Sequence, residues 1–138
     1  MTLKVFIVED YPIMRYILSK FIRQTLHLEM CGEAASGEEA LEHLAEVEAE
    51  LVVIDVLLPG LSGLELLKQL QEKYPEMLCL MLSGHGETSY VREAFKLGAR
   101  GYVLKGDASE LLEAIQTVCG GGTYLSPALQ ARLSEVDG

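Results

Sequence analysis

The chain has 138 residues, enough for one domain with a single core and short of two ordinary ones. Its 21 acidic and 11 basic residues give a net charge of −10, so neither a nucleic-acid backbone nor an anionic membrane is an expected partner of this chain alone. Apolar residues make up 49%, yet no apolar run approaches the roughly 18 residues of a membrane span, and no basic-then-apolar leader opens the chain, so a soluble cytoplasmic protein is expected.

Val5 to Val8 is continuously apolar, the pattern of a strand covered on both faces. Glu9-Asp10-Tyr11 leads to Pro12, suited to the first turn of a helix in which Met14, Ile17, Leu18, Phe21 and Ile22 recur at helical spacing. Glu29 to Ala34 predicts a second strand, less apolar and therefore placed at an edge. Ser36 with Glu39 forms a capping box for a second helix, Leu51 to Ile54 predicts a third strand ending at Asp55, and Ser62 with Glu65 caps a third helix that stops before Pro75. Leu78 to Leu82 predicts a fourth strand ending at Ser83. A fourth helix, about Thr88 to Leu97, has Val91, Ala94 and Phe95 as its main apolar anchors and stops at Gly98. A fifth strand starts at Gly101, and Asp107 or Ser109 caps a fifth helix ended by Gly120-Gly121-Gly122. Ser126-Pro127 then introduces a short helix over Ala128 to Leu133, with Ser134 to Gly138 as linker. Residues 1–125 are thus expected to form the domain, and 126–138 a short helix and the start of a linker.

Cys31, Cys79 and Cys119 lie far apart inside apolar patterns and read as small buried hydrophobes of a reducing compartment. His27, His43 and His85 are equally scattered, so no zinc-ligand spacing is present.

Five strands alternating with single helices predict a (βα)₅ α/β fold with a parallel sheet, right-handed crossovers and helices on both faces. Five units cannot close an eight-stranded barrel, which leaves an open doubly wound sheet of order 2-1-3-4-5 with its ligand crevice at the carboxyl ends of strands 1 and 3. Glu9, Asp10, Asp55, Ser83 and Lys105 all fall on that edge. Two carboxylates about 5 Å apart repel by roughly 3 kcal/mol at an effective dielectric near 20. Three acids and one lysine therefore call for a divalent cation, and oxygen ligands with room for water suit magnesium. Metal-assisted phosphoryl transfer to a carboxylate is the chemistry this implies.

Four segments carry a family resemblance: Val5-Phe6-Ile7-Val8-Glu9-Asp10-Tyr11-Pro12, Asp55-Val56-Leu57-Leu58-Pro59-Gly60-Leu61-Ser62-Gly63, Leu82-Ser83-Gly84, and Gly98-Ala99-Arg100-Gly101-Tyr102-Val103-Leu104-Lys105. With Gly121-Gly122-Thr123-Tyr124-Leu125-Ser126-Pro127 they cover almost the whole chain, which resembles receiver domains of two-component response regulators of the NarL/FixJ (LuxR-type) group, with their flavodoxin-like (βα)₅ fold. The resemblance implies that Asp55 accepts a phosphoryl group from a sensor histidine kinase. It gives Asp10 and Asp55 to magnesium directly, the Leu57 carbonyl as a third protein ligand, and Glu9 as a ligand through water. Lys105 and Ser83 would hold phosphoryl oxygens, with Ser83 and Tyr102 as the coupled switch. It also implies control of transcription through a DNA-binding domain absent from this chain, and it admits a homodimer.

Departures from the family pattern are Ser83 in place of the commoner threonine, Gly84 beside it, Tyr11 where histidine is common, and Gly106 instead of proline after Lys105. Tyr11 is expected to pack over the site. Leu57 and His85 occupy positions that influence phosphoryl lifetime in the family. The protein is expected to be a phosphoacceptor and not an enzyme. The competing readings are a stand-alone or unphosphorylated receiver-like interaction module and a haloacid-dehalogenase-type phosphohydrolase. The hydrolase reading lacks its second aspartate because position 57 is leucine, and a flavin carrier would need a Ser/Thr/Gly-rich loop where Glu9-Asp10-Tyr11-Pro12 stands.

Overall fold

The computed structural model describes residues 2–84 and 88–137, so His85 and Gly138 lie outside the described residues. Strand β1 (Leu3–Val8) lies inside the sheet, and its side chains alternate between the two faces: Val5 and Ile7 join one apolar cluster, Phe6 and Val8 the other. Burial on both sides is what demanded an unbroken apolar run. On one flank β1 pairs in parallel with the edge strand β2 (Leu28–Ala34), and on the other with β3 (Leu51–Asp55). The β1–β2 register shifts between Val5 and Phe6, opposite Cys31. Gly32 then faces the Phe6 ring so closely that a Cβ there would lie 2.7 Å from it.

Helix α1 (Pro12–Gln24) buries Leu18 and Ile22 against the first face, where α5 (Ala108–Cys119) adds Leu111, Ala114, Ile115 and Val118. The opposite face takes α2 (Gly37–Leu44), α3 (Gly63–Lys73) and α4 (Thr88–Lys96). Leu66, Leu67 and Leu70 of α3 are fully buried, each stabilising the fold by about 1.5–3 kcal/mol. The Ser36 and Ser62 hydroxyls cap α2 and α3 by accepting from Glu39 N and Glu65 N, both at 3.1 Å, and Asp107 caps α5. Strands β4 (Leu78–Ser83) and β5 (Gly101–Leu104) complete the expected five-strand order.

The sheet has a sixth strand. Tyr124–Leu125 (β6) pairs in parallel with β5, giving the order β2-β1-β3-β4-β5-β6 where five strands were expected. Two residues are too few to show a period of two, so no strand signal stood out in the sequence. The last helix, α6, runs Pro127–Asp137, so Ser134 to Asp137 are helical where a linker was expected. Its Leu129 is fully buried in the cluster that also holds Val91, Ala94 and Tyr102.

One further expectation, that all three cysteines are buried, is corrected. Cys79 is buried and Cys31 half-buried, but Cys119 is exposed, because it is the last residue of α5 and falls outside the stripe ending at Val118. Tyr11, at the head of α1, is 58% exposed.

Candidate functional site

The carboxyl ends of β1, β3, β4 and β5 are held level by backbone hydrogen bonds between strand ends. Glu9 N donates to Ala34 O, Val56 N to Leu82 O and Lys105 N to Ser83 O, at 2.8 to 3.0 Å. Glu9 and Lys105 directly follow β1 and β5, and Asp55 and Ser83 close β3 and β4, so all four stand at the same sheet edge. Glu9 is buried there at 1% exposure, Asp55 at 6% and Ser83 at 1%, while Asp10 is exposed at the rim. One oxygen each from Glu9, Asp10 and Asp55 lie within 4.8 Å of one another.

Lys105 closes this acidic group. Its Nζ lies 2.6 Å from Glu9 Oε1 and 3.0 Å from Asp55 Oδ2. The remaining oxygens accept from backbone: Leu57 N donates to Asp55 Oδ1 at 3.1 Å and Tyr11 N to Glu9 Oε2 at 3.3 Å. Both buried acids are thus fixed on two sides, as burial of charge requires. Burial pushes the Glu9 carboxyl up to about 7, helped by its hydrogen bond to Asp55 and opposed by Lys105. Burial acts against the charge on Lys105, but its bonds to Glu9 and then Asp55 outweigh that and raise its pKa above the ordinary lysine value.

The donor set fits a hard divalent cation. All three side chains offer carboxylate oxygen, the three acids outnumber the single lysine, and the exposed Asp10 leaves a side open to water.

Of the residues expected from sequence, Glu9, Asp10, Asp55 and Lys105 come together. Ser83 ends the neighbouring strand, opposite Leu104 in register. Tyr102 is fully buried, three residues before Lys105, in the α4-side cluster. Leu57 presents its amide to Asp55 and leaves its side chain 49% exposed. Sequence reasoning missed Arg15, whose Nη1 donates to the Glu9 carbonyl at 2.8 Å and whose Nε lies 3.8 Å from Glu33. A lone cation one turn into α1, just after an acid pair, was the available signal.

The family described as response regulator receiver domain matches residues 5–116. Among characterised proteins, the chain is 37% identical over 131 residues to the transcriptional activator protein ExaE of Pseudomonas putida, covering 94% of this chain and 61% of ExaE. It is 30% identical over 132 residues to the transcriptional regulatory protein DegU of Brevibacillus brevis, covering 95% of this chain and 56% of DegU. The chain therefore spans about three fifths of the length of these relatives. Among solved structures, a LuxR-family two-component response regulator from Aurantimonas sp. SI85-9A1 superposes with a TM-score of 0.93 at 28% identity, covering 99% of both chains.

Proposed function

Because this chain belongs to the response regulator receiver domain family and its relatives are LuxR/NarL-type regulators, we propose that Asp55 accepts a phosphoryl group from a phosphohistidine of a sensor kinase. The observation that carries this reading is the Asp55 carboxylate at the end of β3, oriented by Leu57 N–H and Lys105 and crowded by Glu9 and Asp10. In the transfer an Asp55 oxygen bonds phosphorus, the phosphorus–nitrogen bond breaks, and the imidazole leaves with the electron pair. Asp10, Asp55 and the Leu57 carbonyl would hold magnesium directly and Glu9 through water. The ion supplies charge neutralisation for the phosphoryl oxygens. Lys105, which bridges Glu9 and Asp55 beforehand, is placed to pair with a phosphoryl oxygen as charge develops, and the Ser83 hydroxyl to donate to another.

The product is a modified protein and not a released molecule, so the chain acts as a phosphoacceptor. Its conformational output would pass from Ser83 to Tyr102 and the α4–β5–α5 surface. Helix α4 is anchored there mainly by the buried Val91 and Ala94, among the described residues fewer than α1, α2, α3 or α5 each place in the core, which makes it easy to shift. Transcriptional control through a DNA-binding domain outside this chain is supported by the names of ExaE and DegU and by the fraction of them it spans. A homodimer is part of the same reading. So is a cytoplasmic setting, which the family match supports; among the described residues no helix is long and apolar enough to cross a membrane.

Incubation with acetyl phosphate and magnesium, read by intact mass, tests the assignment. The wild type gains one phosphoryl group and Asp55→Asn gains none. Undiminished labelling of Asp55→Asn, or labelling that survives a chelator, refutes it.

A further inference from the structure

Lys105 acts from the carboxyl end of β5, and what holds that end is unusual. On the β4 side, Lys105 N donates to Ser83 O at 2.8 Å. On the other side, β6 has only two residues, and Ser126, which follows it, donates its own N–H to Tyr102 O at 3.1 Å. The next rung of a parallel ladder would bring Leu104 N to the Ser126 carbonyl. That carbonyl has instead turned into α6, where it accepts from Leu129 N at 2.9 Å and Gln130 N at 3.0 Å. The Ser126 hydroxyl takes its place, accepting from Leu104 N at 3.0 Å. Ser126 is 1% exposed, and its hydroxyl donates to the Glu110 carboxylate of α5, which fixes the rotor so that a lone pair faces Leu104.

Consecutive amides, Leu104 and Lys105, are therefore clamped from opposite sides, immediately before Gly106, whose φ of +115° gives no stiffness beyond them. From these contacts we infer that Ser126 is a positioning residue for Lys105, its hydroxyl and Glu110 setting the backbone from which Lys105 reaches Asp55. The inference deepens the function proposed above and rests on it: Lys105 Nζ must lie within bonding distance of a group on Asp55, and a small tilt of its backbone misplaces a long side chain. It also ties the first turn of α6 to the reacting site through one side chain.

The test is calorimetric binding of beryllofluoride, a phosphoryl mimic, with magnesium, to the 138-residue chain. Ser126→Ala should weaken binding about tenfold, the worth of one positioning hydrogen bond. Glu110→Gln, which keeps an acceptor oxygen for the hydroxyl, should stay within about twofold of wild type, and Glu110→Ala should lose about threefold. Leu129→Ala separates positioning from general loosening of α6: it should lower the unfolding temperature yet leave affinity within about twofold. Ser126→Ala binding like wild type, or Leu129→Ala losing as much as Ser126→Ala, overturns the inference and leaves the Asp55 reading intact. Where Ser126→Ala does not fold, wild-type affinity in Glu110→Ala overturns it. Absence of Asp55-dependent binding in the wild type overturns the parent reading and this one together.

Discussion

Helix α3 starts hard against the strand that carries Asp55, and Gly63 makes the approach possible. A Cβ at Gly63 would lie 2.2 Å from the Asp55 carbonyl oxygen and 2.8 Å from both Cα and O of Val56. These are backbone atoms, short of ordinary contact by about 1 Å, and no rotamer change relieves them. Gly63→Ala must therefore push the first turn of α3 outward, stretching the 3.1 Å bond from Gly63 N to Val56 O and lifting Leu66 and Leu67 from the core. Overpacking usually costs 1–3 kcal/mol, and rigid obstacles place this case near the top, about 3 kcal/mol. With a urea slope near 1.5 kcal/mol/M, the midpoint should fall by about 2 M. The thermal midpoint should fall by roughly 10 °C. Circular dichroism through a urea series reads both this variant and a control, Gly120→Ala. There the added carbon meets only helix carbonyls at 3.4 and 3.5 Å and φ is −81°, so stability should hold or rise by a few tenths of a kcal/mol. A Gly63→Ala midpoint within about 0.3 M of wild type would refute the reasoning, because it would mean that β3 and α3 can separate at no cost.

Magnesium affinity should rise with pH, because burial holds the Glu9 carboxyl near 7 and its proton must leave before the site carries full charge: calorimetry at pH 6 and pH 8 should differ by about tenfold, and equal affinities would contradict the shift. For the same group in the metal-free chain the raised value means stability is greatest below its unfolded pKa near 4.5 and declines as pH passes 7, which urea midpoints at pH 5 and 8 will show in that order if carboxylates elsewhere are matched by a Glu9→Gln reference. Asp10→Asn should lose more magnesium affinity than Glu9→Gln, since Asp10 is assigned a direct bond and Glu9 a water-mediated one; equal losses would reverse or merge the roles. His27 holds φ at +70°, so His27→Val should cost about 1–2 kcal/mol in urea unfolding while His27→Asn stays near neutral, and indifference to valine would mean the turn relaxes freely.

The strands were legible in sequence because burial on both faces forces continuous apolar runs, and Val5–Val8, Leu51–Ile54 and Leu78–Leu82 fall within observed strands. The acidic cluster was legible for a related reason: in a parallel sheet all carboxyl ends lie on one edge, so polar residues closing separate strands must meet. What escaped depended on single side chains crossing between elements. Nothing local says that Arg15 reaches back to the Glu9 carbonyl, or that the Ser126 hydroxyl serves β5 and α5 while its carbonyl opens α6. Cys119 shows the limit of a stripe argument, because a residue one position past Val118 leaves the buried face.

The position of β1 inside the sheet has a consequence for synthesis. Its six residues, Leu3–Val8, are synthesised before either neighbour, and the β3 flank cannot pair until Leu51–Asp55 has followed. At about 5–20 residues per second, the roughly 40 residues between them take on the order of 2–8 s. During that interval an apolar segment with an unpaired edge is open to association between nascent chains. Synonymous changes that slow translation between Gly37 and Glu50 therefore lengthen the exposure of β1 without altering one residue of the finished protein.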